Sequence, residues 1–429
     1  MNVRQVVKGL IPALAQRQYY RNHRMSYIRS INQTIDSTKP TVIVLNHFFD
    51  QDCRALEAAA TDCNLVVLDA PLLVKGSYLY FENRIIELAA PYESSKPEDR
   101  ARWRSECERI WSEIVKRWNP TWIVASNDNF YWIRELIPVA QSHGCKVAIL
   151  DKEGTISPHS WHFEAERARK FAPCISDLVC VWSKRQAEFW QRIGMPSERI
   201  RVVGQPRSDL WYAELTNEVD SYFDKVQPLV TFFSYDDNAY IPLELYISEQ
   251  FTWHQMKTET HELIARLAHS HPDINFVIKT HPQQTDRVEL AQRYNLRNLK
   301  VISGSSCANE LIRRSLCIVA FQTTAVIEAM ALGRPTIYTN WDEHIPMLQD
   351  EILPLADAPG ITTARSVNEC AAAIECAIQT DTLSLIPDET TTRARQAFVD
   401  QYFYNPDGHA SKRFFTALRE HDQLFRGRE

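Results

Sequence analysis

Glycine is scarce in this chain, with 11 residues in 429. The sequence contains neither a Gly-x-Gly-x-x-Gly segment nor a Gly-x-x-x-x-Gly-Lys loop. Both loops need glycine because their backbone must approach a phosphate group closely. Their absence argues against a dinucleotide-dependent oxidoreductase and against a P-loop nucleotidase.

Three other features are missing: clustered cysteines, long apolar runs and net positive charge. The ten cysteines show no metal-ligand spacing, and no apolar run is long enough to span a bilayer. The formal net charge of −6 gives no signal for a nucleic-acid partner. With no signal peptide visible, we expect free thiols and a cytoplasmic location.

The composition is that of an ordinary globular protein, 45% hydrophobic and 24% charged. Residues 1–30 differ, because they carry six basic residues, no acidic residue and interleaved apolar side chains. A basic amphipathic helix of this kind can lie on an anionic membrane surface. The alternative is a solvated helix that packs on its own domain.

Short apolar runs alternate with helical patterns along most of the chain. The runs that we predict as strands are 41–45, 64–68, 121–125, 146–150, 177–182, 199–203, 229–234, 274–279 and 299–302. Such alternation is typical of parallel, doubly wound α/β sheets. A chain of this length exceeds one usual core, so we expect about two domains.

The alternation weakens after about residue 212 and resumes at 229, which sets the predicted domain limits. We predict one Rossmann-like α/β domain at 1–212, a second at 225–390, and C-terminal helices at 391–429 that pack back on the first. Two sheet edges that face a shared cleft are the simplest arrangement.

One helix should supply core rather than binding surface. Its large apolar residues recur at helical spacing: Trp103, Cys107, Ile110, Trp111, Ile114 and Trp118. A stripe with this period faces the interior of a domain. We therefore interpret these tryptophans as core and not as a sugar-binding platform.

Leu316–Tyr338 is the most informative stretch. Leu316–Phe321 predicts a buried strand, Thr323 or Thr324 can cap a helix that contains Glu328, and Gly333 and Pro335 end that helix before the next strand. The turn would lie at the carboxyl edge of a parallel sheet, where two hydroxyls and a helix start suit a phosphate. The alternative is that Thr323 only caps the helix.

Two further clusters follow predicted strands. Asp151, Lys152, Glu153 and Gly154 follow the strand at 146–150, where a carboxylate is well placed as a general base. The alternative is a surface turn with a solvated glutamate.

His281 and Pro282 follow the strand at 274–279. Proline fixes the turn, so the imidazole projects from the strand end and could hold a phosphate oxygen, with Lys279 adding charge. Strand alternation could instead place Lys279 on the face of the sheet. A purely structural His-Pro turn is the alternative for His281.

The three clusters resemble the motif set of bacterial sialyltransferases and polysialyltransferases, which is an acid-acid-Gly motif, then His-Pro, then a Ser/Thr pair. Capsule Kdo transferases and teichoic-acid glycerophosphotransferases are similar in the second half. Gly204–Asp209 resembles the Gly-x-Pro-Arg-x-Asp of the teichoic-acid enzymes, and Asp407-Gly408 resembles their C-terminal end. Thr324–Pro335 resembles a segment of two-domain GT-B glycosyltransferases. The resemblance covers residues 120–410 in patches.

The resemblance implies a GT-B-like fold and an inverting, metal-independent glycosyltransferase of capsule or lipopolysaccharide synthesis. It implies a CMP-activated acidic sugar, Kdo or sialic acid, as donor and a glycan or glycolipid as acceptor, with no cofactor. Glu153 would be the base and His281 would bind the nucleotide phosphate. The other implied donor-binding residues are Lys279, Pro282, Thr323, Thr324, Glu328, Gln205 and Arg207.

One position departs from the pattern, because Lys152 stands where the families have their first acid. Asp151 lies one residue earlier, so the base remains open between Glu153 and Asp151. A CDP-glycerol or CDP-ribitol phosphotransferase is the nearer alternative function; it needs a second histidine, and the candidates are His47, His159 and His162. A nucleotide-sugar 2-epimerase and a non-catalytic binding protein are alternatives of other classes.

Overall fold

The structure is a computed structural model of the 429-residue chain. It describes residues 28–29, 35–47, 49–69, 71–81, 96–152, 161, 165–166, 168–170, 173–214, 218–239, 241, 251–281, 284–294, 296–303, 308–380 and 388–426. The chain forms two compact units. The first comprises Met1–Gly154, Phe163–Arg207 and His409–Glu429, and the second comprises Thr155–His162 and Ser208–Gly408.

The described strands lie close to the runs that the sequence predicts, except for the first and the last, which the sequence analysis did not predict. They are β1 (Ile28–Arg29), β2 (Thr41–Asn46), β3 (Asn64–Asp69), β4 (Trp122–Ala125), β5 (Lys146–Leu150), β6 (Leu178–Val181), β7 (Ile200–Val202), β8 (Leu229–Phe233), β9 (Asn275–Lys279), β10 (Leu299–Ile302), β11 (Ser315–Ala320), β12 (Thr336–Thr339) and β13 (Thr362–Ala364).

The helices fill the intervals between these strands and the C-terminal end. They are α1 (Asp50–Ala59), α2 (Pro71–Ser77), α3 (Pro97–Trp118), α4 (Tyr131–Arg134), α5 (Leu136–Ser142), α6 (Lys184–Ile193), α7 (His254–Ser270), α8 (Arg287–Arg293), α9 (Ala308–Arg314), α10 (Thr324–Ala331), α11 (Val367–Gln379), α12 (Glu389–Tyr402) and α13 (Ala410–Arg426). No helix among the described residues is long and apolar enough to cross a membrane.

The first unit contains a sheet of strand order β1-β3-β2-β4-β5-β6-β7. The short edge strand β1 is antiparallel to β3, and the other neighbours are parallel. Because β3 and β4 flank β2 on opposite sides, the carboxyl ends of β2 and β4 form the topological switch point of this sheet. On one face of the sheet, α3 buries the predicted core stripe: Trp103, Cys107, Ile110, Trp111 and Ile114 are at most 1% exposed. The interpretation as core is confirmed for these five residues, whereas Trp118, the last member of the predicted stripe, is only partly buried.

The second unit contains a fully parallel sheet of order β10-β9-β8-β11-β12-β13. Numbered within the unit this order is 3-2-1-4-5-6, the arrangement of mononucleotide-binding halves, with its switch point between β8 and β11. Its central strands β8, β9 and β12 are buried along their whole length, as expected where helices cover both faces. The predicted class of two doubly wound α/β domains is confirmed.

Candidate functional site

Two predicted clusters of the second unit lie along one edge of its sheet. Phe233 pairs with Lys279 on one side and with Ala320 on the other, so β9, β8 and β11 end level with one another. His281 follows β9 and Thr323 follows β11, and both therefore lie at the carboxyl edge. Two strand spacings separate these strand ends, about 10 Å. The tertiary structure thus brings His281 and the Thr-Thr cluster to one edge of the sheet, on either side of the end of β8.

Thr323 caps α10. Its backbone is extended, and its hydroxyl oxygen accepts a hydrogen bond from the Ala325 amide at 3.3 Å. This bond satisfies one of the amides that a helix start leaves without an intrahelical partner. The capping interpretation therefore holds, and a phosphate-binding role for Thr323 and Thr324 stays a prediction.

The turn before α10 depends on Gln322, which sequence reasoning missed. Its φ of 44° lies in the left-handed region, which costs a non-glycine residue about 1 kcal/mol or more. Its side chain donates to the Tyr338 hydroxyl and the Leu353 carbonyl and accepts from the Leu353 amide, at 2.6, 3.0 and 2.8 Å. These bonds offset the backbone cost and hold the turn against β12. A glutamine in sequence gives no signal for this conformation.

An aromatic layer supports the same turn from below. Phe321 is fully buried, and its ring lies 5.0 Å from that of Trp253, 5.1 Å from that of Tyr235 and 5.6 Å from that of Tyr338. Tilted and edge-on ring pairs at these separations are favourable. The start of α10 is consequently fixed by packing as well as by hydrogen bonds.

The predicted residues at the end of β9 differ in burial and in their hydrogen-bond partners. Lys279 is buried, and its ammonium group donates to the Thr280 carbonyl oxygen at 2.9 Å. His281 is exposed, while its backbone amide donates to the side-chain oxygen of Gln284 at 3.1 Å. Glu328 is buried in α10, and Pro282 lies outside the described residues. The donor-binding roles of these residues remain predictions.

An ion cluster centred on the buried Lys257 lies behind the ends of β8 and β9. Lys257 on α7 donates to Asp237 at 2.9 Å and also to Asp286, and Asp237 contacts His254 at 2.9 Å. Burial lowers the pKa of Lys257, but the hydrogen bonds with Asp286 and Asp237 outweigh it and raise that pKa overall. Each of these partners is at least 17 positions from its neighbour in sequence, so no local pattern could have indicated the cluster.

His261 lies beside this cluster as a neutral imidazole. Its Nδ1 is 2.8 Å from the Lys257 carbonyl oxygen, which can only accept, so Nδ1 carries the proton. Nε2 then accepts from the Ser234 hydroxyl at 3.0 Å. Burial, followed by the charge of Lys257, lowers the pKa of His261 from 6.5 to about 4.

The buried His261 should make the second unit sensitive to mild acid. Between pH 6.5 and 4 the unfolded chain binds a proton at this position and the folded chain does not, so stability falls as pH drops through that window and is unaffected above it. The loss should approach about 3 kcal/mol by pH 4. Urea denaturation between pH 7.5 and 4.5 measures it. The His261→Gln variant should lose this part of the pH dependence; an unchanged pH profile in that variant would contradict the assignment.

The first unit carries the predicted acidic cluster at the end of β5. Asp151 is half-buried and accepts a hydrogen bond from the Trp190 indole at 2.9 Å. Glu153 lies outside the described residues, as do His159 and His162. The structure therefore leaves the choice of base between Glu153 and Asp151 untested.

Arg207 and Gln205 form a buried group with two residues that the sequence analysis did not select. The Arg207 guanidinium lies over the Trp182 ring at 4.7 Å, and its backbone amide donates to Asp52 at 3.2 Å. With the Gln205 oxygen turned toward it, the guanidinium also donates to Gln205 through Nε and Nη2, at 3.0 Å each. Burial raises the pKa of Asp52, and Arg207 opposes that rise.

Asp50-Gln51-Asp52 is the one Asp-x-Asp triplet of the chain. Its two carboxylates have different partners: exposed Asp50 accepts from the Asn46 amide at 2.8 Å, and buried Asp52 faces Arg207. His47 follows β2 at the switch point of the first sheet, where its ring packs edge-on against Phe130 and Trp132. The triplet thus makes two separate structural contacts, and the role of His47 as the alternative histidine stays a prediction.

Comparisons with known proteins identify the fold. No model of a protein family matches this chain, and no curated protein matches it. The UDP-GlcNAc 2-epimerase from Neisseria meningitidis, solved with UDP-GlcNAc, is similar with a TM-score of 0.52 and 12% identity, over 89% of this chain and 100% of its own. The UDP-GlcNAc 2-epimerase from Methanocaldococcus jannaschii gives 0.51 and 14%, over 89% and 99%.

A third similar structure is the wall teichoic acid polymerase TagF from a crystal soaked with CDPG. Its TM-score is 0.52 at 9% identity, over 99% of this chain and 96% of that chain. At such identities the likeness shows the fold alone. It agrees with the predicted two-domain α/β architecture over nearly the whole chain.

Proposed function

We propose that this chain is an inverting, metal-independent glycosyltransferase that uses a nucleotide-activated sugar. The observation that carries the proposal is the position of the start of α10, which lies at the switch point of a 3-2-1-4-5-6 sheet. A helix start at such a point favours a phosphate group. His281 follows β9, two strand spacings from the end of β11 on the same edge, and supplies an exposed imidazole.

The proposed donor is a CMP-activated acidic sugar, Kdo or sialic acid, and the proposed acceptor is a glycan or glycolipid of a surface polysaccharide. The motif resemblance supports the donor and the metal independence. In the reaction a carboxylate removes the proton of an acceptor hydroxyl, whose oxygen attacks the anomeric carbon as the bond to phosphate breaks. We assign the base to Glu153, with Asp151 as the alternative because Asp151 already accepts from Trp190.

The departing phosphate would be held by the second unit. The amide and hydroxyl of Thr324 and the imidazole of His281 would donate to its oxygens, and Glu328 would hold the ribose. Donors aimed at developing negative charge supply much of the rate in such reactions. The proposed roles of Lys279, Gln205 and Arg207 are indirect, since Lys279 is buried and Arg207 contacts Gln205 and Asp52.

A phosphotransferase that uses CDP-glycerol or CDP-ribitol is the second candidate. The likeness to TagF, whose crystal was soaked with CDPG, favours it, and His47 at the first switch point would be its second histidine. The epimerase alternative has equal support from the likeness to the two UDP-GlcNAc 2-epimerases, but one of its requirements is not met by the carboxylates near the ends of β8 and β9. It needs several carboxylates available to substrate, whereas Asp236, Asp237 and Asp286 all contact other groups of the second unit.

A nucleotide panel tests the proposal. A nucleotide that binds the native state raises the melting temperature, with a gain of about 2.7 kcal/mol at a hundredfold excess over Kd. We expect CMP to stabilise the full-length protein more than UDP or GDP, and cytidine to stabilise it less than CMP because cytidine has no phosphate. Selective stabilisation by CDP would favour the phosphotransferase and by UDP the epimerase. Equal effects of cytidine and CMP would contradict a phosphate site at α10.

The proposed location is cytoplasmic, with residues 1–30 on the inner face of the membrane. These basic residues support the proposal through their charge alone, since all but Ile28 and Arg29 lie outside the described part of the chain. Flotation with anionic vesicles tests the idea, and equal binding after deletion of residues 1–30 would remove it.

A further inference from the structure

Gln284 uses both polar ends of its side chain in bonds to different loops. It is 1% exposed. Its Oε1 accepts from the His281 backbone amide at 3.1 Å, and its Nε2 donates to Ser234 Oγ at 3.0 Å and to Asp286 Oδ1 at 2.8 Å. Only the oxygen end can accept from a backbone N–H, so the orientation of the amide is determined.

The bonds of Gln284 belong to a closed ring, which we call the Gln284 ring. The Ser234 hydroxyl donates a hydrogen bond to His261 Nε2, and His261 Nδ1 donates one to the Lys257 carbonyl oxygen. The Lys257 ammonium group then donates to Asp286, which returns the ring to Gln284. Every donor in the ring has an acceptor, so no member can turn without leaving a buried polar atom unpaired.

The Gln284 ring joins the loops that follow β8 and β9. Ser234 opens the first loop, and Gln284 and Asp286 belong to the second. A second tie runs in parallel, since the Thr285 amide donates to Asp236 at 3.2 Å. The ring members Ser234, His261 and Lys257 are all buried, which strengthens each bond relative to one in water. The backbone of His281 is therefore held by Gln284 at both of its polar groups: its amide donates to the Gln284 side chain, and its carbonyl oxygen accepts from the Gln284 amide at 3.0 Å. Only the first of these bonds links His281 to the ring.

We propose that Gln284 is a positioning residue that fixes the exposed His281 for donor phosphate binding, an inference that rests on the proposed role of His281. Gln284 itself lies beneath the edge and acts only through the His281 backbone. Glutamine suits the role because it accepts at one end and donates twice at the other. Glutamate at this position would present a carboxylate to Asp286, and alanine would leave the His281 amide and Ser234 without their partner.

The first measurement needs no ligand. In Gln284→Ala the His281 amide loses its acceptor, so its hydrogen exchange should become at least about tenfold faster while β8 and β9 keep their protection. Thr285→Ala is the matched control, because it removes a hydroxyl from the same loop and leaves the Thr285 amide on Asp236. If Gln284→Ala does not fold, Ser234→Ala removes one of the two acceptors of Gln284 Nε2 and should give a smaller increase. An unchanged exchange rate of the His281 amide in a folded variant overturns the proposal.

The second measurement separates positioning from general stability. The affinity for CMP is measured by calorimetry for wild type, Gln284→Ala, His281→Ala and the double variant, well below their melting temperatures. Gln284→Ala should weaken CMP binding about fivefold or more when His281 is present and less than about twofold when it is absent. Equal losses in both backgrounds would mean that Gln284 does not act through His281, and would overturn the proposal.

The two measurements also distinguish this inference from the proposed function. If neither CMP nor CDP, UDP or GDP binds wild type, the proposed function fails. The exchange rate of the His281 amide then decides by itself whether Gln284 fixes this turn.

Discussion

Replacement of His281 by alanine is expected to slow the release of CMP from a CMP-activated acidic sugar by about 10²- to 10³-fold, the usual effect of losing one donor to a developing oxyanion. The imidazole is exposed at the carboxyl edge of the second sheet, while its backbone is held by Gln284. The variant loses the side chain and keeps every backbone bond of the turn. The loss should therefore appear in kcat and in CMP affinity, and not in the free energy of unfolding.

A second histidine gives the matched control. His269 is exposed near the end of α7, away from the carboxyl edge, and His269→Ala should keep the wild-type rate within about twofold. Release of CMP from CMP-sialic acid under single-turnover conditions measures both variants. If His281→Ala keeps the wild-type rate and CMP affinity, the histidine is a structural part of the His-Pro turn and the proposed leaving-group role is wrong.

Replacement of Lys257 by methionine should destabilise the second unit by about 1–3 kcal/mol, because it removes the partner of two carboxylates that are about a third exposed and thus partly screened by water. Lys257 is 5% exposed and donates to both Asp237 and Asp286. Without the ammonium group these carboxylates repel each other, and the Gln284 ring loses its link between α7 and Asp286. Methionine keeps the length of the apolar stem, so the change tests charge rather than packing.

Urea denaturation at pH 7.5 measures the loss, with Lys225→Met as the control. Lys225 is exposed, and its replacement should change the free energy of unfolding by less than about 0.5 kcal/mol. Adding Asp237→Asn and Asp286→Asn to Lys257→Met should recover part of the loss, since the neutral amides no longer repel. A Lys257→Met protein as stable as wild type would show that the ion cluster contributes nothing to the fold.

The sequence by itself determined the local elements of the second unit. The predicted strand Leu316–Phe321 is β11, displaced by one residue, and Thr323 caps α10 as one of the two predicted candidates. Gly333 follows α10 with a φ of 66°, as a glycine after a helix C-terminus often does. These features follow from apolar periodicity, from a capping hydrogen bond between residues two positions apart and from the conformational freedom of glycine. All of these act within a few positions of the chain.

Periodicity was enough to predict the burial of the α3 side chains but not the position of the Lys279 side chain. The spacing of Trp103 and Trp111 is enough to assign them to a core, because a helix turns by a fixed angle per residue. The alternation of β9 could not decide where Lys279 lies, since both faces of a central parallel strand are covered. The structure places its ammonium group on the Thr280 carbonyl oxygen.

Only the tertiary structure decided which strand ends meet and what supports them. The order β9-β8-β11 places His281 and Thr323 on one edge, although 42 positions separate them in the chain. Several supporting residues have partners that are distant in sequence. Leu353 lies 31 positions from Gln322, and Ser234 lies 50 positions from Gln284. Lys257 likewise depends on distant partners. A hydrogen bond depends on distance and direction in space, and strand order and register set both. No periodicity along the chain contains that information, so these residues became visible only in the folded molecule.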